Sequence, residues 1–150
     1  MIKIALYQPD IPGNTGTIMR MAACLGVSLH IIEPAGFDLS ERNLKRAGMD
    51  YLELTNLTRH ISWQAFYDWH IKENNRLILA STKAAQPYCD VAYHDNDVLL
   101  FGRESSGVPD SVHNSVNERI LIEMQPEMRS LNLAVSVAMV TGEALRQTRI

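Results

Sequence analysis

Three polar stretches interrupt a largely apolar chain of 150 residues, and each carries side chains able to do chemistry. The first, QPDIPGNTGTIMR (8–20), sets Asn14 and Arg20 around a candidate helix start, where Asn14 is well typed to cap. The second, FGRESSGVP (101–109), holds Glu104 between Gly102 and Gly107. The third, EMQPEMRSLN (123–132), gathers Arg129, Ser130 and Asn132 at the mouth of an apolar run over 131–140. An arginine fork can grip a phosphate or carboxylate through two parallel bonds. Glycines let backbone N–H and C=O groups approach a flat ligand that side chains would obstruct. A helix start offers free N–H donors and partial positive charge; Ser130 is the expected N-cap there, with Asn132 in the first turn. The same residues also fit a surface helix arginine, a plain turn and a plain cap.

Several chemistries are excluded by spacing. Gly102 and Gly107 match the G-x-x-x-x-G of a phosphate-binding loop, but Val108 and Pro109 stand where Lys and Ser/Thr must follow. No G-x-G-x-x-G exists for a dinucleotide, and Ser105 and Ser106 lack the G-x-S-x-G setting of a hydrolase nucleophile. Cys24 and Cys89 lie far apart, and the five histidines show no metal-ligand spacing, so no metal is expected. A net charge of −3 argues against gripping nucleic acid by bulk electrostatics and leaves room for a local patch. Arg42, Lys45 and Arg46 recur at helical spacing in ERNLKRAG and form that candidate patch, or an ordinary solvated face.

The elements that must position these loops alternate. Apolar strands are read at 2–7, 28–34, 51–55, 76–82, 97–102 and 119–124. Helices are read at 15–26, 40–46 and 62–73, and 128–147 reads as one long final helix. This is an α/β pattern: a mostly parallel sheet flanked by helices, with ligands expected beyond the carboxyl ends of strands. The run 131–140 must be buried nearly all round, in the core or against a partner subunit. One domain, 1–150, is expected, with no signal segment or membrane span, hence a cytoplasmic protein.

With the loops in hand, NTGTIMR (14–20), LLFGRESSG (99–107) and ILIEMQPEMRSLNLAVSVA (120–138) resemble, in order, the three signatures of the SPOUT (SpoU–TrmD) RNA methyltransferases. The likeness covers the whole chain. LYQPDIPGNTG, LHIIEPAGFDLS, RAGMDY and the lack of an N-terminal extension are similar to the minimal branch of that family. That branch 2′-O-methylates the wobble nucleotide, cytidine or uridine 34, in the anticodon loop of leucine tRNAs.

The resemblance implies a C-terminal deep trefoil knot, S-adenosylmethionine as cofactor, and a homodimer joined through the first and last helices. It implies a cofactor pocket lined by Ala80, Gly102, Ile122 and Ser130, and catalytic positions at Arg20, Asn14, Glu104, Ser130 and Asn132. RNA contacts would come from Arg20, Arg42, Lys45, Arg46 and Arg129, with Arg59 as a further candidate. Many relatives have Ser–Asn where this chain has Ala134 and Val135, a change expected to affect packing only. The rival readings are methylation of another tRNA or rRNA site, and a non-catalytic RNA-binding dimer that retains the donor.

In relatives the arginine matching Arg20 has been assigned as general base. A guanidinium is effectively always protonated, so positioning a phosphate and stabilising charge on the attacking oxygen suits it better. Arg20→Lys keeps the charge and loses the fork. It is expected to abolish most methyl transfer to tRNA, and near-normal turnover in a tritium-transfer assay would contradict the positioning role.

Overall fold

Side chains along a strand point to alternate faces, and here both sets are apolar, as in sheets covered on both sides. The structure is a computed structural model that describes residues 1–40, 42 and 54–149. Its strands are β1 (Lys3–Tyr7), β2 (Ser28–Ile32), β3 (Leu57–His60), β4 (Arg76–Ala80), β5 (Asp97–Phe101) and β6 (Glu118–Ile120). They form one sheet in the order β3-β2-β1-β5-β4-β6, every neighbour parallel. Ile4, Leu6, Leu29, Ile31, Ile78, Leu99 and Phe101 face one core, shared with α1 (Pro12–Leu25) and α4 (Leu133–Thr148). Ala5, Tyr7, Leu77, Leu79, Val98 and Leu100 face the other, closed by Phe66 of α2 (Trp63–Lys72) and Val112 of α3 (Asp110–His113). Buried Asp97 takes both Nε and Nη2 of Arg76, at 2.8 and 2.6 Å, and ties β4 to β5. Among the described residues, no helix is long and apolar enough to cross a membrane.

The sequence reading needs correction at several ends. Helix α1 starts at Pro12 rather than residue 15, because proline presets the helical φ and lacks the N–H that would go unbonded there. The strand read at 51–55 is not found in its described part: Leu54 and Thr55 are outside any strand, and Thr55 Oγ1 donates to Met19 O of α1 at 3.2 Å. Strand β3 starts two residues later, paired Leu29 to Leu57. The strand read at 119–124 stops at Ile120, since Leu121 exchanges backbone bonds with Gln86 and Tyr88 at 2.9 and 2.8 Å. Of the basic helix read at 40–46, only Ser40 and Arg42 are described; Lys45 and Arg46 lie outside the described residues.

The final helix also differs. It opens at Leu133, with Asn132 rather than Ser130 as N-cap: Asn132 Oδ1 accepts from Val135 N at 3.2 Å. Upstream, Glu127 adopts φ 81 and Met128 N donates to Gln125 O, a tight turn that no helix can contain. Within the single chain the helix is buried on one side only, which leaves a partner subunit as the expected cover for the rest. Ala134, Val137, Val140, Thr141, Ala144 and Leu145 face the core, whereas Val135 and Met139 stay 47% and 37% exposed. Of the two residues that depart from many relatives, Ala134 packs inside and Val135 does not.

At the β2–β3 edge, His30 Nδ1 and His60 Nε2 lie 2.9 Å apart with their rings stacked and Trp69 packed against both. Burial, together with the neighbouring His60, pulls the His30 pKa down to about 4, and burial lowers His60 as well. With both values lowered, the two rings are neutral near pH 7 in the fold, one donating and the other accepting. The unfolded chain binds more protons between the ordinary value of 6.5 and about 4, so stability falls as pH drops through that window. A urea midpoint at pH 5 should correspond to a loss of about 2 kcal/mol relative to pH 7.5. Equal midpoints would show that the pair is not held neutral.

Candidate active site

Parallel pairing sets the strand ends level: Leu6 opposite Phe101, Phe101 opposite Ala80, Ala80 opposite Ile120. The loops leaving these ends therefore meet, at the carboxyl edge where open α/β sheets bind ligands. A cavity of about 560 Å³ lies there, with Ile11, Asn14, Ala80, Phe101, Gly102, Ile122 and Leu133 among its walls.

The glycine-containing turn is built by backbone. Arg103 N donates to Gly107 O and Gly107 N to Arg103 O, both at 2.9 Å, and Gly107 adopts φ 65. A Cβ on Gly102 would stand 2.6 Å from the Gly107 carbonyl carbon, so only glycine fits. Asn14 does not cap α1. It lies inside the first turn, and the cap residue is Ile11, with no side-chain bond of its own. Glu104 serves that helix start instead, its carboxylate accepting from Ile11 N at 2.6 Å and Asp10 N at 3.2 Å. Asn14 Oδ1 accepts from Asn132 Nδ2 at 3.0 Å, which joins the mouths of α1 and α4.

Ala80, Gly102, Ile122 and Ser130 all line the cavity, as do Asn14, Glu104, Asn132 and Arg129. Arg20 does not. It stands on the exposed side of α1, in one stripe with Gly13, Thr17 and Cys24. Arg59 is bound to Glu33 at 2.6 Å on edge strand β3, so the RNA role suggested for it meets a guanidinium already paired. Arg42 is exposed. The sequence reading missed Ser81, Thr82 and Lys83, which follow β4 and line the cavity with His113. The strand-end rule would have found them had the turn after RLILA been treated as a fourth loop. Among the described residues, no three His, Cys, Asp or Glu side chains are grouped to hold a metal ion.

Residues 1–142 match the model of the SpoU rRNA methylase family. The chain belongs to that family. It is 58% identical, over 96% of its length and 90% of the relative's, to a tRNA (cytidine(34)-2′-O)-methyltransferase of Beijerinckia indica. A solved structure described as giving structural insights into the 2-OH methylation of C/U34 on tRNA superposes with TM-score 0.91 at 41% identity. That match covers 98% of this chain and 95% of the other. The fold is shared with the SpoU methyltransferase AviRb from Streptomyces viridochromogenes in complex with AdoMet, at TM-score 0.86 and 23% identity. There the overlap is 98% of this chain and 60% of AviRb.

For this SpoU-family chain, Gly102→Ala is a direct test of the turn. The added methyl must push the Gly107 backbone aside, so the variant should lose at least tenfold in affinity for S-adenosylmethionine by calorimetry. Unchanged affinity would show that the turn does not border the donor.

Proposed function

We propose that the protein transfers a methyl group from S-adenosylmethionine to the 2′-oxygen of nucleotide 34 of tRNA in the cytoplasm. The observation that carries this reading is the meeting, around one cavity, of the Gly102–Gly107 turn, the mouth of α4 and Asn14. The near-full-length relative named for cytidine 34 supports the address.

The cavity suits the donor. Its volume falls in the range of small-molecule sites, Ala80 and Ile122 supply apolar walls, and Gly102 leaves peptide edges open to an adenine or a ribose. Bound there, S-adenosylmethionine supplies an already activated methyl group, so the chain's task is alignment. Asn132, fixed by Val135 N and Asn14, is oriented to hold the substrate ribose, with Ser130 and Arg129 beside it. Glu104 holds the entrance of α1 rather than facing a proton.

Arg20 works from a second subunit. It lies outside the cavity of its own chain, on the exposed side of α1; α1 packs beside α4, on which Val135 and Met139 are exposed. Two copies joined there in a homodimer bury that apolar stripe and bring each Arg20 to the partner's cavity, where its fork holds a phosphate and steadies charge on the attacking oxygen. The trefoil knot belongs to the same reading. The chain leaves edge strand β6, bonds to residues 86–88, and returns to α4 beside α1, a path that must cross the ends of β4 and β5. Knots are rare and a crossover alone does not make one; membership of this family is what supports a knot here. Leucine isoacceptors are the proposed substrates.

Nucleoside mass mapping of tRNA from cells with and without the gene tests the proposal. The 2′-O-methyl mark at position 34 of leucine tRNAs should vanish without the gene and return on incubation with the purified protein and S-adenosylmethionine. Loss of a mark elsewhere in tRNA or in rRNA, with position 34 intact, would contradict it.

A further inference from the structure

Both oxygens of the Asp10 carboxylate are occupied by the loop that borders the cavity. Oδ1 accepts from Arg103 Nε at 3.0 Å and also from Arg103 Nη2, while Oδ2 accepts from Ser105 N at 3.1 Å and Ser105 Oγ at 2.5 Å. Between those two residues, Glu104 bonds back to the N–H groups of Asp10 and Ile11. The two loops are thus cross-linked in both directions over three consecutive residues. The seat is tight behind as well: Gly36 N donates to Pro9 O at 2.8 Å, and a Cβ on Gly36 would stand 2.9 Å from Asp10 Oδ1. Arg103 keeps the Asp10 carboxyl ionised, holding its pKa at about 2, so the cross-link persists across the working pH range.

Asp10 itself is not a wall of the cavity, whereas Arg103, Glu104 and Ser105 are. Gly102 precedes the bound arginine, and Asn14 follows the bound loop within the first turn of α1. We infer that Asp10 and Arg103 are positioning residues for the methyl transfer, an ionic latch that holds the glycine turn at a set distance from the mouths of α1 and α4. The latch fixes the width of the donor site without touching the reacting atoms. Charge-assisted bonds are strong and directional, and two N–H groups of one guanidinium converge on Oδ1 while Ser105 holds Oδ2, which suits them to fix geometry between loops that no strand joins. The inference rests on the proposed donor site and adds to it residues the sequence reading did not select.

The test compares wild type with Asp10→Asn and Arg103→Gln. S-adenosylmethionine binding is measured by calorimetry, thermal midpoints are recorded, and KM for the donor and kcat are measured on tRNA. Each single variant should weaken donor binding by about tenfold, with KM rising more than kcat falls. Ser105→Ala, which removes only the hydroxyl bond to Oδ2, should weaken binding by about threefold. Wild-type affinity in Asp10→Asn, or in Ser105→Ala should the charge variants fail to fold, overturns the latch. Methylation at position 34 is read in the same wild-type samples, so its absence counts against the proposed function and not against the latch.

Discussion

Parallel register across the middle of the sheet is the constraint on which the rest depends. Because β1, β5, β4 and β6 end level, the chain has only one place where the loops after residues 7, 80, 101 and 120 can go, and they share it. Apolar side chains on both faces enforce that register, since a slip by one residue would exchange the two cores. The buried Asp97 and its two bonds to Arg76 oppose slippage between β4 and β5 directly. A site made of peptide edges and short polar side chains follows from this geometry with few charged residues of its own.

What turns converging loops into a shaped site is polar bonding between segments far apart in sequence. Asn14 and Asn132 are separated by 118 positions and joined by one bond of 3.0 Å. Glu104 takes over the cap that Asn14 does not provide, across 93 positions to Ile11. Such contacts cost chain entropy to close, and they repay it by holding donors and acceptors ready before any ligand arrives. The low net charge is consistent with this division: the cavity is arranged for fit, while Arg20 and Arg42 lie at exposed positions outside it.

Much of the fold was legible in the sequence, because strand-length apolar runs such as RLILA and DVLLF, and the Ser62 cap of α2, are local signals. The three loops were legible for the same reason, through Asn14, Gly102 with Gly107, and Ser130 with Asn132. The errors arose where distant parts of the chain decide. Residue type does not distinguish Ser130 from Asn132 as the cap; the cap falls on Asn132, whose amide is also held by Asn14, 118 positions away. Nothing in ILIEM says that Leu121 leaves the sheet for Gln86. Arg20 looked like part of the site by motif, yet the side of α1 on which it stands was invisible until the faces of α1 and α4 were fixed.

On the proposed reading, one cavity seats the methyl donor beside the substrate ribose, with Arg20 supplied across a twofold interface. A crystal structure of the protein with S-adenosylhomocysteine and an anticodon stem-loop of a leucine tRNA tests it most directly. The account predicts the donor product against Ala80, Gly102, Ile122 and Ser130, nucleotide 34 at Asn132, and Arg20 of the partner subunit on its phosphate. A donor product bound elsewhere, or a lone subunit holding the RNA with its own Arg20, would contradict it.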